Sequence, residues 1–192
     1  MRHKYLTPAL VLARTPLAEA SSLVTVVTPE FGIIRGRAQG LRKPGAKMSA
    51  GLQTFCEADV SMVRGKEGWR MTGAILAKNW ANVLPKEACV RAGRVVELAL
   101  RLTHGESMDT GAALFKIFTG YLAVLADAAR TDDEHDAAEL LAVLRVLRSL
   151  GLVADPIPGD DGQFDTETLA LVHADRKSFI TRINSGIEAS GL

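Results

Sequence analysis

Between Ile33 and Phe55 the chain reads IIRGRAQGLRKPGAKMSAGLQTF, and its cations are the residues best suited to bind a ligand. Arg35, Arg37, Arg42, Lys43 and Lys47 place five positive charges in thirteen residues, with no carboxylate among them. Like charges at that density repel one another and gain little from packing. A polyanion would neutralise them together, and the commonest polyanion is a nucleic-acid backbone. The plainer account of the same residues is a hairpin loop kept solvated by its own lysines and arginines.

Other chemistry is hard to find. There is no Gly-x-Ser-x-Gly elbow, Walker loop, dinucleotide fingerprint or His-Glu-x-x-His pair. His3, His104, His135 and His173 are scattered singly. Asp132-Asp133-Glu134-His135-Asp136 has the composition of a cation site, but it stands where a helix begins. Carboxylates there complement the helix dipole and cap free amides, so the cluster reads as a cap. Trp69, Phe31 and Phe55 are of the type that stacks on bases, and equally of the type that fills a barrel. No acid, base and nucleophile come together, so the expectation is a protein that is not an enzyme and holds no metal or other cofactor.

The charge is divided along the chain. The formal net charge of +1 is the sum of a basic first part and an acidic second. Residues 1–80 hold twelve Lys and Arg against five Asp and Glu, and residues 81–192 hold eleven against seventeen. The expected organisation is a basic domain at 1–80 facing an anion and a second domain at 81–192 with other partners. Cys56 and Cys89 have no metal-ligand spacing and read as reduced core thiols. The basic Met1–Tyr5 is followed by no signal-peptide core, and the apolar run at 112–126 is interrupted by Lys116 and Thr119. A cytoplasmic protein with no membrane segment is expected.

The elements that must carry the cations are strands. Ala9–Arg14, Ser22–Thr28, Ile33–Ala38, Leu52–Val63 and Trp69–Leu76 are strand-like. Pro29-Glu30-Phe31-Gly32 makes a turn, and Arg64-Gly65-Lys66-Glu67-Gly68 a hairpin loop. Five short strands suit a closed barrel, which removes the edges a flat sheet would expose. The leading candidate is the five-stranded OB barrel, whose ligand face is usually built on strands two and three. After Pro85 the hydrophobic period changes to about 3.6. Helices are expected over Glu87–Thr103, from Asp109 or Thr110 to Ala129, over Glu134–Leu150 ending at Gly151, and over Thr166–Ser185. Val90, Val95, Leu98 and Leu102 form the stripe of the first of these. The expected class is α+β, an N-terminal five-stranded OB-fold barrel followed by a helical domain.

The segment ALVLARTPLAEASSLVTVVTPEFGIIRGRAQGLRKPGAKMSAGLQTF resembles the N-terminal domain of RecO, a bacterial DNA-repair and recombination-mediator family. The likeness lies in the strand ending at Arg14, in Glu19 with Ser21-Ser22-Leu23, and in Thr28 with Gly32. It continues through Ala38-x-Gly40-x-Arg42, the basic loop and Leu52-Gln53-x-Phe55. The helix pair over 92–126 and the Leu-Gly end of the helix over 140–152 fit more loosely. The resemblance implies a protein that binds single- and double-stranded DNA and anneals complementary strands. It implies that with RecR the protein helps RecA load onto DNA coated by single-stranded-DNA-binding protein (SSB), and that it holds the acidic C-terminal tail of SSB. By matching position, Arg35, Arg42, Lys43 and Lys47 are the implied phosphate contacts. Arg14, Arg37, Arg64, Lys66 and Arg70 join them on charge alone. Arg145 and Arg148 are candidates for the SSB-tail carboxylate, against the plainer reading of two solvated arginines opposite a leucine stripe. Three departures stand out. Gln39 takes a place the family usually gives to Lys. Leu152–Asp165 lacks the four cysteines that bind zinc in many members, so no zinc is expected. The chain is also short for the family, with a trimmed C-terminal region. An RNA-binding OB module and a protein-only adaptor are the other readings the residues allow.

Overall fold

A computed structural model of the chain describes residues 3–17, 21–41, 46, 48–103, 109–159 and 162–191. Five strands come first: β1 (Lys4–Pro16), β2 (Ser22–Thr28), β3 (Gly32–Ala38), β4 (Cys56–Gly65) and β5 (Gly68–Asn79). A 3-10 turn (Trp80–Asn82) leads to five helices, α1 (Lys86–Leu102), α2 (Gly111–Leu125), α3 (Asp132–Ser149), α4 (Thr166–Ala174) and α5 (Arg176–Ala189). The chain divides into two compact units, Met1–Val83 with Gly105–Phe115, and Leu84–His104 with Lys116–Leu192.

In the first unit the strands close into a barrel in the order β1-β2-β3-β5-β4. All neighbours are antiparallel except β3 and β5, which close the barrel through a short parallel pairing of residues 36–38 with 69–71. This is the expected α+β architecture with its OB barrel. The interior is aliphatic, built on Val11, Val24, Val26, Ile34, Leu52, Val60 and Met62, and completed by Trp69 and Met71. Tyr5, Phe31 and Trp69 pack edge to face or tilted, with ring centroids 5.3–5.4 Å apart. Gly111 begins α2 against the β2–β3 turn, where a Cβ would stand 2.7 Å from both Gly32 N and Thr28 O. That distance is too short for any side chain.

The fourth strand begins later than expected. Residues 48–55 are turns, and β4 starts at Cys56. Leu52 is buried in the barrel core without being in a strand. Phe55 takes φ 62, a left-handed backbone that interrupts an extended chain. Its N–H donates to Val11 O and its carbonyl accepts from Trp80 N, which hold it there.

In the second unit α3 packs against α1, α4 and α5. Its N-terminus is capped by Thr131, whose hydroxyl accepts from the Glu134 N–H while the Glu134 carboxylate accepts from the Thr131 N–H. The acidic run is thus a helix start, as expected. Gly151 ends α3 with φ 76, donating to Arg148 O while Leu152 N–H reaches back to Leu147 O, the paired bonds of a Schellman motif. Two expectations fail. Val90 is exposed, and the buried stripe of α1 is Ala88, Ala92, Val95, Val96 and Ala99. The single last helix is two, broken at Asp175 with φ −110 and ψ 33. Among the described residues no helix is long and apolar enough to cross a membrane.

Candidate nucleic-acid interface

Strand alternation decides which way the cations of β3 point. Ile34, Gly36 and Ala38 are buried, and Arg35 and Arg37 between them are exposed. On β5 the same alternation buries Trp69 and Met71 and exposes Arg70. The parallel closure sets Arg37 directly beside Arg70. Neighbouring strands lie about 4.8 Å apart, and like charges facing one another across that gap destabilise the pair. The β4–β5 hairpin pairs Gly65 with Gly68 and carries Lys66 and Glu67 at its tip. Together these elements wall a cleft of about 570 Å³ that takes in Arg35, Arg37, Gln39, Lys66, Glu67 and Arg70. Leu17, Leu23, Val63 and Trp69 supply its apolar surface.

Arg35, Arg37, Lys66 and Arg70 have no carboxylate partner among the described residues. In the second unit Arg91, Arg94, Arg130, Arg176 and Arg182 each face an Asp or Glu. Unpaired guanidinium groups keep their N–H donors for phosphate oxygens, which they match two at a time. The other charge-based candidates lie outside the cleft lining. Arg14 donates to Ser22 Oγ at 3.4 Å, and Arg64 lies 5.5 Å from the centre of the Trp69 ring. Arg42, Lys43 and Lys47 lie outside the described residues. Of the three aromatics, Phe55 is buried and Phe31 half-buried in the Tyr5–Trp69 cluster, while Trp69, buried in that cluster, also lines the cleft. Gln39 was noted only as a departure from the family pattern, and Glu67 and the aliphatic wall were not singled out for the site from sequence. The two glycines flanking Lys66-Glu67 were the available signal, since they put both side chains at a hairpin tip.

Comparison with known proteins fits this barrel. The family described as Recombination protein O N terminal matches residues 1–79, which end where β5 ends. The DNA repair protein RecO of Dehalococcoides mccartyi (strain 195) is 31% identical over 121 residues, covering 62% of this chain and 47% of that protein. The DNA repair protein RecO of Acidovorax ebreus is 32% identical over 175 residues, covering 87% of this chain and 63% of that protein. Over residues 1–79 the chain belongs to the RecO N-terminal family. It spans about half to two thirds of the length of these RecO relatives. Within the RecO resemblance, Gln39 stands in the cleft and leaves a neutral amide among the cations.

The two arginines offered as candidates for the SSB-tail carboxylate part company, and the solvated reading fails for Arg145. Arg145 is only 1% exposed, neither solvated nor open to a docking carboxylate. It donates to Gln163 O at 2.7 Å and Pro158 O at 2.9 Å, and its guanidinium lies 4.7 Å from the centre of the Phe164 ring. It holds the connection between α3 and α4. Arg148 is exposed. A different group of arginines surrounds a smaller cleft of about 360 Å³ in the helical unit, lined by Arg91, Arg94, Arg176, Asp136 and Glu139 with Leu140, Val143 and Ile183. Arg91 meets Asp136 at 2.5 Å and Glu139 at 3.1 Å, Arg94 meets Glu139 at 2.8 Å, and Arg176 meets Asp136 at 3.0 Å. The Arg91 hydrogen bond holds the Asp136 carboxyl below the usual aspartate range, against the opposing effect of burial. Tyr121 is buried within reach of the charges of Glu139, Arg91 and Arg94, and burial pushes its phenol far up. Its hydroxyl has no hydrogen-bond partner among the described residues. No group of three or more His, Cys, Asp or Glu able to hold a metal occurs among the described residues.

Proposed function

We propose that this chain is a DNA-binding mediator of recombinational repair, and that its barrel cleft grips the backbones of single- and double-stranded DNA so that complementary strands anneal. The observation that carries this reading is unneutralised charge. Arg35, Arg37, Lys66 and Arg70 share one cleft, with Arg37 and Arg70 side by side and no described carboxylate paired to any of them. A phosphate backbone relieves that repulsion without reading sequence. The RecO relatives, named as DNA repair proteins, support the same role. In this reading the protein works with RecR to help RecA load onto SSB-coated DNA. The helical unit holds the acidic SSB tail, and Arg148, exposed on α3, is the candidate for its carboxylate. Arg145 is committed to backbone carbonyls and takes no part.

Fluorescence anisotropy with a labelled oligothymidylate tests the barrel site. The wild type should bind with an affinity that falls steeply with salt, and Arg35→Glu/Arg37→Glu/Arg70→Glu should lose about a hundredfold at moderate ionic strength. Wild-type affinity in that triple variant, or tight binding indifferent to salt, overturns the site. An RNA of equal length that displaces the DNA strand efficiently would turn the reading toward an RNA-binding module.

A further inference from the structure

Among the described residues Glu67 is the one carboxylate that lines the cationic cleft. It sits at the tip of the β4–β5 hairpin beside Lys66, exposed, with no ion pair or hydrogen bond among the described residues. It therefore does not hold the turn. Gly68, with φ 96, provides the backbone conformation the hairpin needs. An uncommitted negative charge on the rim of a site for phosphates repels the ligand the other four side chains attract.

We infer that Glu67 is an affinity-limiting residue of the DNA cleft, a fixed anion that shortens the residence of a strand on Arg35, Arg37, Lys66 and Arg70. The inference rests on the cleft being the DNA site. Two unit charges a few ångströms apart at a water-filled rim interact by an amount comparable to thermal energy. One such charge changes affinity by about three- to tenfold without abolishing or creating the site. For a protein that must hold two strands and then let the duplex go, slow release is a liability. A carboxylate in the cleft makes release faster while leaving the charge-driven encounter largely in place.

The test compares wild type, Glu67→Gln and Glu67→Asp for oligothymidylate affinity across a salt series. It also measures dissociation into excess competitor by stopped flow. Glu67→Gln should bind about three- to tenfold tighter, steepen the salt dependence by up to about one ion, and dissociate correspondingly more slowly. Glu67→Asp, which keeps the charge, should follow the wild type. Equal affinity and dissociation rate in Glu67→Gln and wild type, with Arg37→Glu/Arg70→Glu weakening binding, overturns the role of Glu67 alone. If Arg37→Glu/Arg70→Glu binds as the wild type does, the cleft itself fails and this inference with it.

Discussion

Arg37 and Arg145 carry the same guanidinium and differ in everything around it. Arg145 is buried, with two backbone carbonyls as its acceptors and an aromatic ring alongside. Arg37 is exposed and faces a like charge across the barrel closure. Truncation should separate them. Arg145→Ala removes the donor to the Gln163 and Pro158 carbonyls and leaves a void in the helical unit, and should cost about 2–4 kcal/mol. Arg37→Ala removes a repulsion and should stay within about 0.5 kcal/mol of the wild type. Thermal melts of both variants check this, and an Arg145→Ala melt matching the wild type would mean the guanidinium is not structural. This difference between the two arginines was not visible in the sequence. Arg145 and Arg148, three apart on a helix with a leucine stripe, look alike until the α3–α4 connection folds over one of them. Arg35 and Arg37 were legible, because alternation with Ile34, Gly36 and Ala38 leaves them only the outer face. The pairing of Arg37 with Arg70 was not, since it depends on a parallel contact between strands more than thirty residues apart in sequence.

At the scale of elements, α3 depends on its carboxylates. Asp136 ties it to Arg91 of α1 and Arg176 of α5, and Glu134 closes the capping box with Thr131. Hydrogen bonding to Arg91 holds Asp136 below its ordinary value of 3.8, and hydrogen bonding to the Thr131 N–H holds Glu134 below 4.5. A carboxyl whose folded value lies below its unfolded one stabilises the fold fully above the unfolded value. That contribution disappears as pH falls through the folded value. The melting temperature should therefore be level near neutrality and decline below about pH 4. Asp136→Asn should be less stable at pH 7 and show a shallower decline in acid. An acid slope identical to that of the wild type would mean Asp136 contributes nothing through its charge. Legibility was uneven among the elements. β2 was readable to the residue because Leu23, Val24, Val26 and Val27 favour a strand and Pro29 with Gly32 marks the turn that ends it. The β4 start was misplaced because Leu52 and Phe55 are buried for tertiary reasons, in turns rather than in a strand. The break at Asp175 was invisible because Leu169, Val172, Phe179, Ile183 and Gly186 keep a helical spacing straight across it, with no Gly or Pro to mark the gap.

For the whole molecule the unequal distribution of charge is the property that matters. Arg35, Arg37, Lys66 and Arg70 of the barrel unit line one cleft with no carboxylate partner among the described residues, whereas several arginines of the acidic second unit are spent on its own aspartates and glutamates. A net charge near zero therefore hides a local concentration of positive charge, and on the proposed reading DNA encounter should be steered to it at low ionic strength. Lysine footprinting reads this directly, because Lys66, Lys86, Lys116 and Lys177 are all exposed in the free protein. Brief acetylation with and without a saturating oligothymidylate, followed by peptide mass analysis, should show Lys66 protected by the DNA. Lys86, Lys116 and Lys177, in the second unit, should keep their reactivity. Raising the salt should release Lys66 in step with the loss of binding measured by anisotropy, because the same counterions compete for the same cleft. Protection spread evenly over all four lysines would mean that DNA coats the molecule without choosing a face, and equal reactivity of Lys66 with and without DNA would place the contact elsewhere. Protection confined to Lys66 would show that the arrangement of charge, and not its total, directs DNA to the barrel.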